Sequence, residues 1–536
     1  MPADLIIDGG PIFSGSGLEP EAVAIRAGII VAVGSLRDLR AERGPRTQTL
    51  DLKGRTLAPG FIDAHVHPLT GGLKLLRCSL YNAGSAQGSL NAVADYAGAH
   101  PDRPWIWGGG WSLSWFPRGT PDAASLDRVT GNRPALLYNS DGHGAWVNSA
   151  ALRLAGIDAS TADPPDGRIE RLPDGSPQGT LHEGAMSLVE RLLPVVTAAE
   201  WEEALLEGQR YLLSCGLTGW QDADVAPQQH AAYLAVAGRG QLRASVVGAS
   251  WWERGQGLEQ IENLIARRAE MAPRYRATAV KLMLDGIAEN YTAAMFGSYL
   301  DEQGQATSNS GIEFLTREDL RQIVPVLDRL GFHCHFHAIG DRAVRNALDA
   351  IEATRNAQST GHGRHHIAHI QVVNPTDRGR FAALDVTANA QPLWAAHEPQ
   401  MDELTLPFLP PGAAINQYPF ASLLKAGARL AMGSDWSVST ADVMRQIQVA
   451  VTRRPIDDRL APPFLPDEAL SVDQALKAFT AGSAWVNGVE NSAGVIAVGN
   501  RADLVILEAD PRTETPIGDI RVDETIAAGS VVYSRG

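Results

Sequence analysis

Histidine is scarce in this chain, with fourteen in 536 residues, yet two short apolar stretches each set histidines two apart. FIDAHVH at 61–67 carries His65 and His67, and FHCHFHAIG at 332–340 carries His335 and His337. Side chains two apart on a strand share a face, so each pair can aim two imidazoles at one point. Neutral imidazole is a natural ligand for zinc or a related ion. Asp63 shares the face of the first pair, where it either joins such a site or orients a ligand. In the second pair, periodicity does not separate His335 from His337.

Three further residues belong to the same chemistry. In AVKLMLDG (279–286), Val280, Leu282 and Leu284 take one face and leave Lys281, Met283 and Asp285 on the other. An inward lysine is costly unless it is paired or chemically altered. One outcome is an ion pair with Asp285 or Asp222; the other is carbamylation by carbon dioxide, which makes a carboxylate-like bridge between two metal ions. His369 ends HHIAHIQVV (365–373), with His365 and His366 read as surface residues. Asp435 ends RLAMGSDW (429–436), where it can bind metal and handle a proton.

These residues need a scaffold that brings strand ends together. Strand-like runs fall at 57–67, 216–223, 242–250, 279–286, 332–340, 365–373, 386–392 and 429–436. Most are followed by helical patterns, among them DRAVRNALDAIEATRN and ADVMRQIQVAVTRR. TREDLRQIVPVLDRLG has Thr316 as its N-cap and Gly331 as its stop. Eight strands alternating with helices predict an α/β fold, a (β/α)8 barrel whose catalytic groups sit at the C-terminal strand ends. The chain ends differ: DLIIDGGPIFSGSG, EAVAIRAGIIVAVGS, RADLVILEA and TIAAGSVVYSRG read as strands with tight turns. They predict a small β-sandwich from 1–56 plus 485–536, with the barrel over 57–484. About 150 residues part the first two barrel strands, far more than an ordinary connection. PWIWGGGW, PALLYNSDGH and the turn-rich PPDGRIERLPDGSPQG make this an insertion at about 80–195.

Composition excludes several classes. A net charge of −15 argues against nucleic acid as a partner. Three cysteines allow neither a disulfide framework nor a cysteine zinc site. MPADLIIDGG lacks a signal-peptide pattern, and no apolar run reaches the roughly 18 residues that span a bilayer. A cytoplasmic protein with a small-molecule substrate is expected, assembled as a homo-oligomer, a dimer. GxxxxGK[ST] does not occur, and the Gly-rich stretches lack the strand-to-helix context of a nucleotide site.

Taken together, APGFIDAHVH (58–67), YNSDGHGAWVNSAAL (138–152), VKLMLDG (280–286), HAIGDRAV (337–344), HHIAHIQ (365–371), GSDWSVS (433–439) and RADLVILEAD (501–510) resemble the amidohydrolase superfamily of metal-dependent hydrolases. The N-substituted formamide deformylase-like branch resembles them most. The resemblance implies the same barrel-and-sandwich architecture and a ligand set of His65, His67, Lys281, His337, His369 and Asp435. It holds one or two Zn2+ ions, bridged by carbamylated Lys281. It also selects His337 over His335, because HAIGD is the constant part of the family motif; His335 then stands behind the site or on its substrate side. Two departures, Ala368 before the sixth-strand histidine and Ser437 after SDW, fall where substrate preference is set.

The implied chemistry is hydrolysis by a metal-activated water. Asp435 acts as general base and then general acid, His143 in SDGHGAW supports the oxyanion, and Trp111 and Trp115 in GGGWSLSWF wall the substrate. The expected substrate is a small, largely uncharged amide, formamide or cyclic amide, cleaved at its carbon–nitrogen bond. The ligand set also permits deamination or ester and lactone hydrolysis. A non-catalytic binding relative would be marked by lost ligands, and all six are present.

Overall fold

The computed structural model describes residues 1–356, 363–513 and 516–536. Its centre is a parallel eight-stranded sheet curled into a nearly closed barrel. The strands are β1 (Phe61–Val66), β2 (Leu217–Val225), β3 (Ser245–Trp251), β4 (Tyr275–Met283), β5 (His333–Ala338), β6 (His366–His369), β7 (Thr387–Ala390) and β8 (Arg429–Met432). They pair in sequence order, each parallel to the next. Their residues are almost all buried because both faces are covered, which is why the strands read as near-continuous apolar runs.

The seam between β8 and β1 is closed just beyond the regular ladder. Asp435 N donates to His65 O at 2.8 Å, and His67 N donates to Trp436 O at 2.7 Å. The Asn389 side chain of β7 adds a bond to Ala64 O at 2.9 Å. Strand closure and site assembly are therefore one event: the same backbone bonds fix His65, His67 and Asp435.

The expected first strand, 57–67, divides in two. Thr56–Pro59 pairs antiparallel with Leu504–Leu507, and only Phe61 onward enters the barrel. Gly60 makes the changeover, since a Cβ there would lie 2.3 Å from Thr218 Oγ1. Two four-stranded sheets come from the chain ends. One holds Leu5–Asp8, Ala22–Arg26, Ile29–Gly34 and Gln48–Asp51; the other holds Thr56–Pro59, Leu504–Leu507, Val522–Ala527 and Ser530–Ser534. Ile7, Val23 and Ile25 of the first meet Leu57, Leu504 and Ile506 of the second in one buried cluster. Each such side chain contributes about 1.5–3 kcal/mol by leaving water.

A six-stranded sheet spans Cys78 to Glu183, between β1 and β2. PWIWGGGW and PALLYNSDGH supply Ile106–Trp111 and Ala135–Asn139, and the turn-rich stretch forms the hairpin Gly167–Arg171 with Pro177–Glu183. The helix Arg317–Arg329 starts on a Thr316–Asp319 capping box, and Gly331 follows its end at φ +80°. Among the described residues no helix is long and apolar enough to cross a membrane.

Candidate metal centre

The C-terminal ends of β1, β5, β6 and β8 converge on Asp435. Its Oδ1 lies 3.0 Å from His67 Nε2 and 3.3 Å from His65 Nε2, and its Oδ2 lies 3.9 Å from His369 Nδ1. One donor atom each from His65, His369 and Asp435 falls within 4.8 Å of the others, a group that could hold a metal ion. The His337 ring adjoins His369, with centroids 4.4 Å apart. Lys281 at the end of β4 lines the same space. Sequence reasoning named all six, and the fold brings all six to one mouth.

Backbone geometry at these strand ends is unusual. His369 and Asp435 adopt φ of +76° and +54°, in the left-handed region that costs a non-glycine residue about 1–3 kcal/mol and clusters at functional sites. Tight fit explains the Gly433 of GSDW, where a Cβ would lie 2.5 Å from His65 N. Asp63 does not share the site. Its Oδ1 accepts from His65 N at 3.0 Å and its Oδ2 from Ser434 Oγ at 2.5 Å, so it clamps β1 to β8 from behind. Burial pushes its carboxyl up to about 7.

Electrostatics fit a divalent cation. Burial, then Lys281, lowers the His65 imidazole to about 3. Burial also holds His337 and His369 well below the usual imidazole range, reinforced by Lys281 and His337 respectively. Burial works to raise the Asp435 carboxyl, but His65 and His67 outweigh it and keep the group ionised. Neutral imidazoles around one carboxylate are the donors a divalent metal needs. Moreover, Asp435 Oδ1 and His369 Nδ1 are buried with no hydrogen-bond partner among the described residues. The His65 and His67 ring nitrogens stand close to Oδ1 without the alignment of a regular hydrogen bond. A buried polar atom calls for a partner, and a cation between these two, which face each other across the group of donors, supplies one.

Lys281 is buried, and burial lowers its amine to about 8. Neither Asp285 nor Asp222 pairs with it, contrary to one expectation. Asp285 accepts from the backbone N–H of Ala294, Ile339 and Gly340, and Asp222 accepts from Tyr233 Oη at 2.8 Å. Both carboxylates are spent on structure.

His335 is not on the substrate side. It is fully buried beneath the mouth, with Nε2 2.8 Å from His65 Nδ1 and Nδ1 2.6 Å from Gln221 Oε1. It holds the His65 ring. His365 and His366 are likewise fully buried, not surface residues: His365 Nδ1 accepts from Cys334 N and its Nε2 lies 3.0 Å from Asp328 Oδ1, while His366 packs on His335.

The metal centre opens into a cavity of about 860 Å³. His143 lines it, with Nδ1 3.0 and 3.1 Å from the Glu183 oxygens, and Thr292 Oγ1 donates to Glu183 Oε1 at 2.8 Å. Burial opposes charge on His143, but Glu183 prevails and raises it to about 9. Glu183 escaped sequence reasoning, because nothing local ties it to a histidine 40 residues away. Trp111 and Trp115 do not line this cavity. Trp111 is fully buried, its Nε1 donating to Leu137 O at 2.8 Å, and Trp115 packs on the same core of the inserted sheet. Trp107, Trp201, Trp251 and Trp394 face the cavity instead. Ser437 also lines it, whereas Ala368 is fully buried outside it.

A family model described as the amidohydrolase family matches residues 48–533. The N-substituted formamide deformylase of Arthrobacter pascens is 26% identical over 96% of this chain and 95% of its own. The protein LONG AFTER FAR-RED 3 of Arabidopsis thaliana is 29% identical over 95% of this chain and 88% of its own. The crystal structure of an uncharacterized metal-dependent hydrolase from Pyrococcus horikoshii OT3 superposes with a TM-score of 0.74 at 22% identity, covering 96% of this chain and 99% of that one.

Proposed function

The chain belongs to the amidohydrolase family, and from that premise we propose that it hydrolyses the carbon–nitrogen bond of a non-peptide amide, formamide or cyclic amide. The observation that carries this reading is the convergence of His65, His67, His369 and Asp435 at the floor of a large cavity, with two buried donor atoms that have no hydrogen-bond partner among the described residues. The formamide deformylase relative, alike over nearly its whole length, supports the bond type.

His65, His67, Lys281, His337, His369 and Asp435 would hold Zn2+, as one ion or two, with Lys281 joining the set in its carbamylated form. Bound there, the metal supplies an acidified water and polarises the substrate carbonyl. Asp435 takes the proton of the attacking water on its carboxylate. The new carbon–oxygen bond turns the carbonyl into an oxyanion, and His143 donates its Nε2–H to it while Glu183 holds Nδ1–H. On collapse the carbon–nitrogen bond breaks and Asp435 returns its proton to the leaving amine. The barrel, entered at Phe61, with the sheets of the two chain ends beside it, serves as the rigid frame. Three buried free cysteines accord with the reducing cytoplasm, where the chain works as a dimer.

Chelator treatment followed by metal analysis and assay on a panel of N-substituted formamides tests this. Activity falls to background and returns with Zn2+; full turnover by metal-free protein defeats the reading. Product analysis for formate plus amine, against ammonia, separates amide hydrolysis from deamination.

A further inference from the structure

One lysine of the cavity wall has no counter-charge beside it among the described residues. Lys74 lies in the last turn of the helix Pro68–Leu75, is only 8% exposed, and lines the same cavity as the metal centre. Among the described residues no carboxylate lies within 4.0 Å of its ammonium; its polar contact is the face of Tyr81, 5.7 Å to the ring centroid. The lysine borders the cavity with no protein carboxylate beside its ammonium, so an anion in the cavity meets it with a charge-assisted hydrogen bond.

The other cations of this wall are already committed. The Arg77 guanidinium stacks 3.5 Å over Trp107 and lies 3.5 Å from Glu200. Arg254 stacks on Phe314 and pairs with Asp166 at 3.3 Å. Arg191 is exposed to solvent. Lys281 stands at the metal centre.

Position matters as much as charge. The helix starts directly after His67, and Lys74 lies seven residues along it, about 10 Å at 1.5 Å per residue. Helical side chains lean back toward the N-terminus, so the Lys74 chain leans toward the barrel mouth. Tyr81 Oη donates to Ser437 O, which ties this wall to the loop carrying Asp435.

We propose that Lys74 binds a carboxylate of the substrate, so that the enzyme prefers amides carrying an anionic group several bonds from the scissile carbon–nitrogen bond. This rests on the amide-hydrolase reading above and replaces a largely uncharged substrate by an anionic one.

Two arms on the zinc-loaded protein test it. The first compares kcat/KM for 4-(formamidomethyl)benzoate and its methyl ester. The acid is favoured by about tenfold to a hundredfold in the wild type, the scale of a hydrogen bond to a charged group. Lys74→Met brings the ratio near one, and Lys74→Arg restores most of it. The second is a calorimetric titration of 4-methylbenzoate, whose affinity drops by the same factor in Lys74→Met and is largely kept in Lys74→Arg. A carboxylate that merely coordinates the metal binds Lys74→Met as tightly as the wild type, and that result overturns the proposal. An acid-to-ester ratio near one in the wild type also overturns it, while leaving the hydrolase reading intact, and needs no variant to fold. If neither compound is turned over but the titration still depends on Lys74, the formamide reading fails and the carboxylate site stands.

Discussion

His335 and His337 share one face of β5, yet their surroundings are opposite. His337 lies at the mouth, lines the cavity, and its polar contacts are long, Nε2 standing 3.4 Å from the Gly286 carbonyl and 3.8 Å from Asp285 Oδ1. His335 is one layer down, and both of its nitrogens are engaged, one by His65 and one by Gln221. An imidazole whose nitrogens are both in hydrogen bonds has no lone pair left for a metal. Its hydrogen bond fixes the His65 ring instead, the place a partner of a ligating imidazole takes. The difference is one of depth. Strand period assigns the face of a side chain; the stagger of neighbouring strands, which pairs His335 with His366 and His337 with Ala368, assigns its layer in the barrel.

If the upper layer performs the chemistry, its proton carrier is the most sensitive position. Asp435→Asn keeps the shape but cannot accept the proton, and kcat falls about a thousandfold; circular dichroism and metal content show whether the barrel is intact. A loss below tenfold breaks the distinction between the layers. A smaller contrast lies within β5 itself. Metal content per chain, read by plasma mass spectrometry, drops in His337→Ala and stays at the wild-type level in His335→Ala. Activity in His335→Ala falls about tenfold to a hundredfold, the usual cost of losing the group behind a ligand. Equal metal loss in both variants places them in one layer after all.

Much of this was legible in the chain because barrel strands are short, apolar and regularly spaced, and because the reacting residues sit at strand ends. All eight runs coincide with barrel strands, apart from the break at Gly60 and the start of β4 at Tyr275, four residues before its run. Legibility stopped where side chains meet across long separations. Trp111 and Trp115 read as a substrate wall because aromatics in a Gly-rich loop look exposed; the inserted sheet covers them, and Trp107, four residues before Trp111, faces the cavity instead. Glu183 and Lys74 carried no signal at all. A carboxylate in a hairpin and a lysine in a helix are ordinary until the fold buries them beside the cavity. His365 looked like a surface residue because its partner Asp328 lies 37 residues upstream on another element.

The smallest effect probes the lower layer alone. Gln221, fully buried on β2, engages His335 Nδ1 through Oε1 and reaches Asn487 Oδ1 through Nε2 at 3.2 Å. Gln221→Leu removes both and leaves an imidazole nitrogen and an amide oxygen buried without partners. Urea unfolding of the metal-free protein then shows a loss of about 1–3 kcal/mol. The metal-loaded variant retains its full complement of ions, because no donor at the mouth has changed, and its kcat falls less than that of His335→Ala, because the His335 Nε2 contact to His65 survives. A Gln221→Leu protein as stable as wild type but stripped of metal would reverse the assignment, making the lower layer part of the coordination shell and not its support.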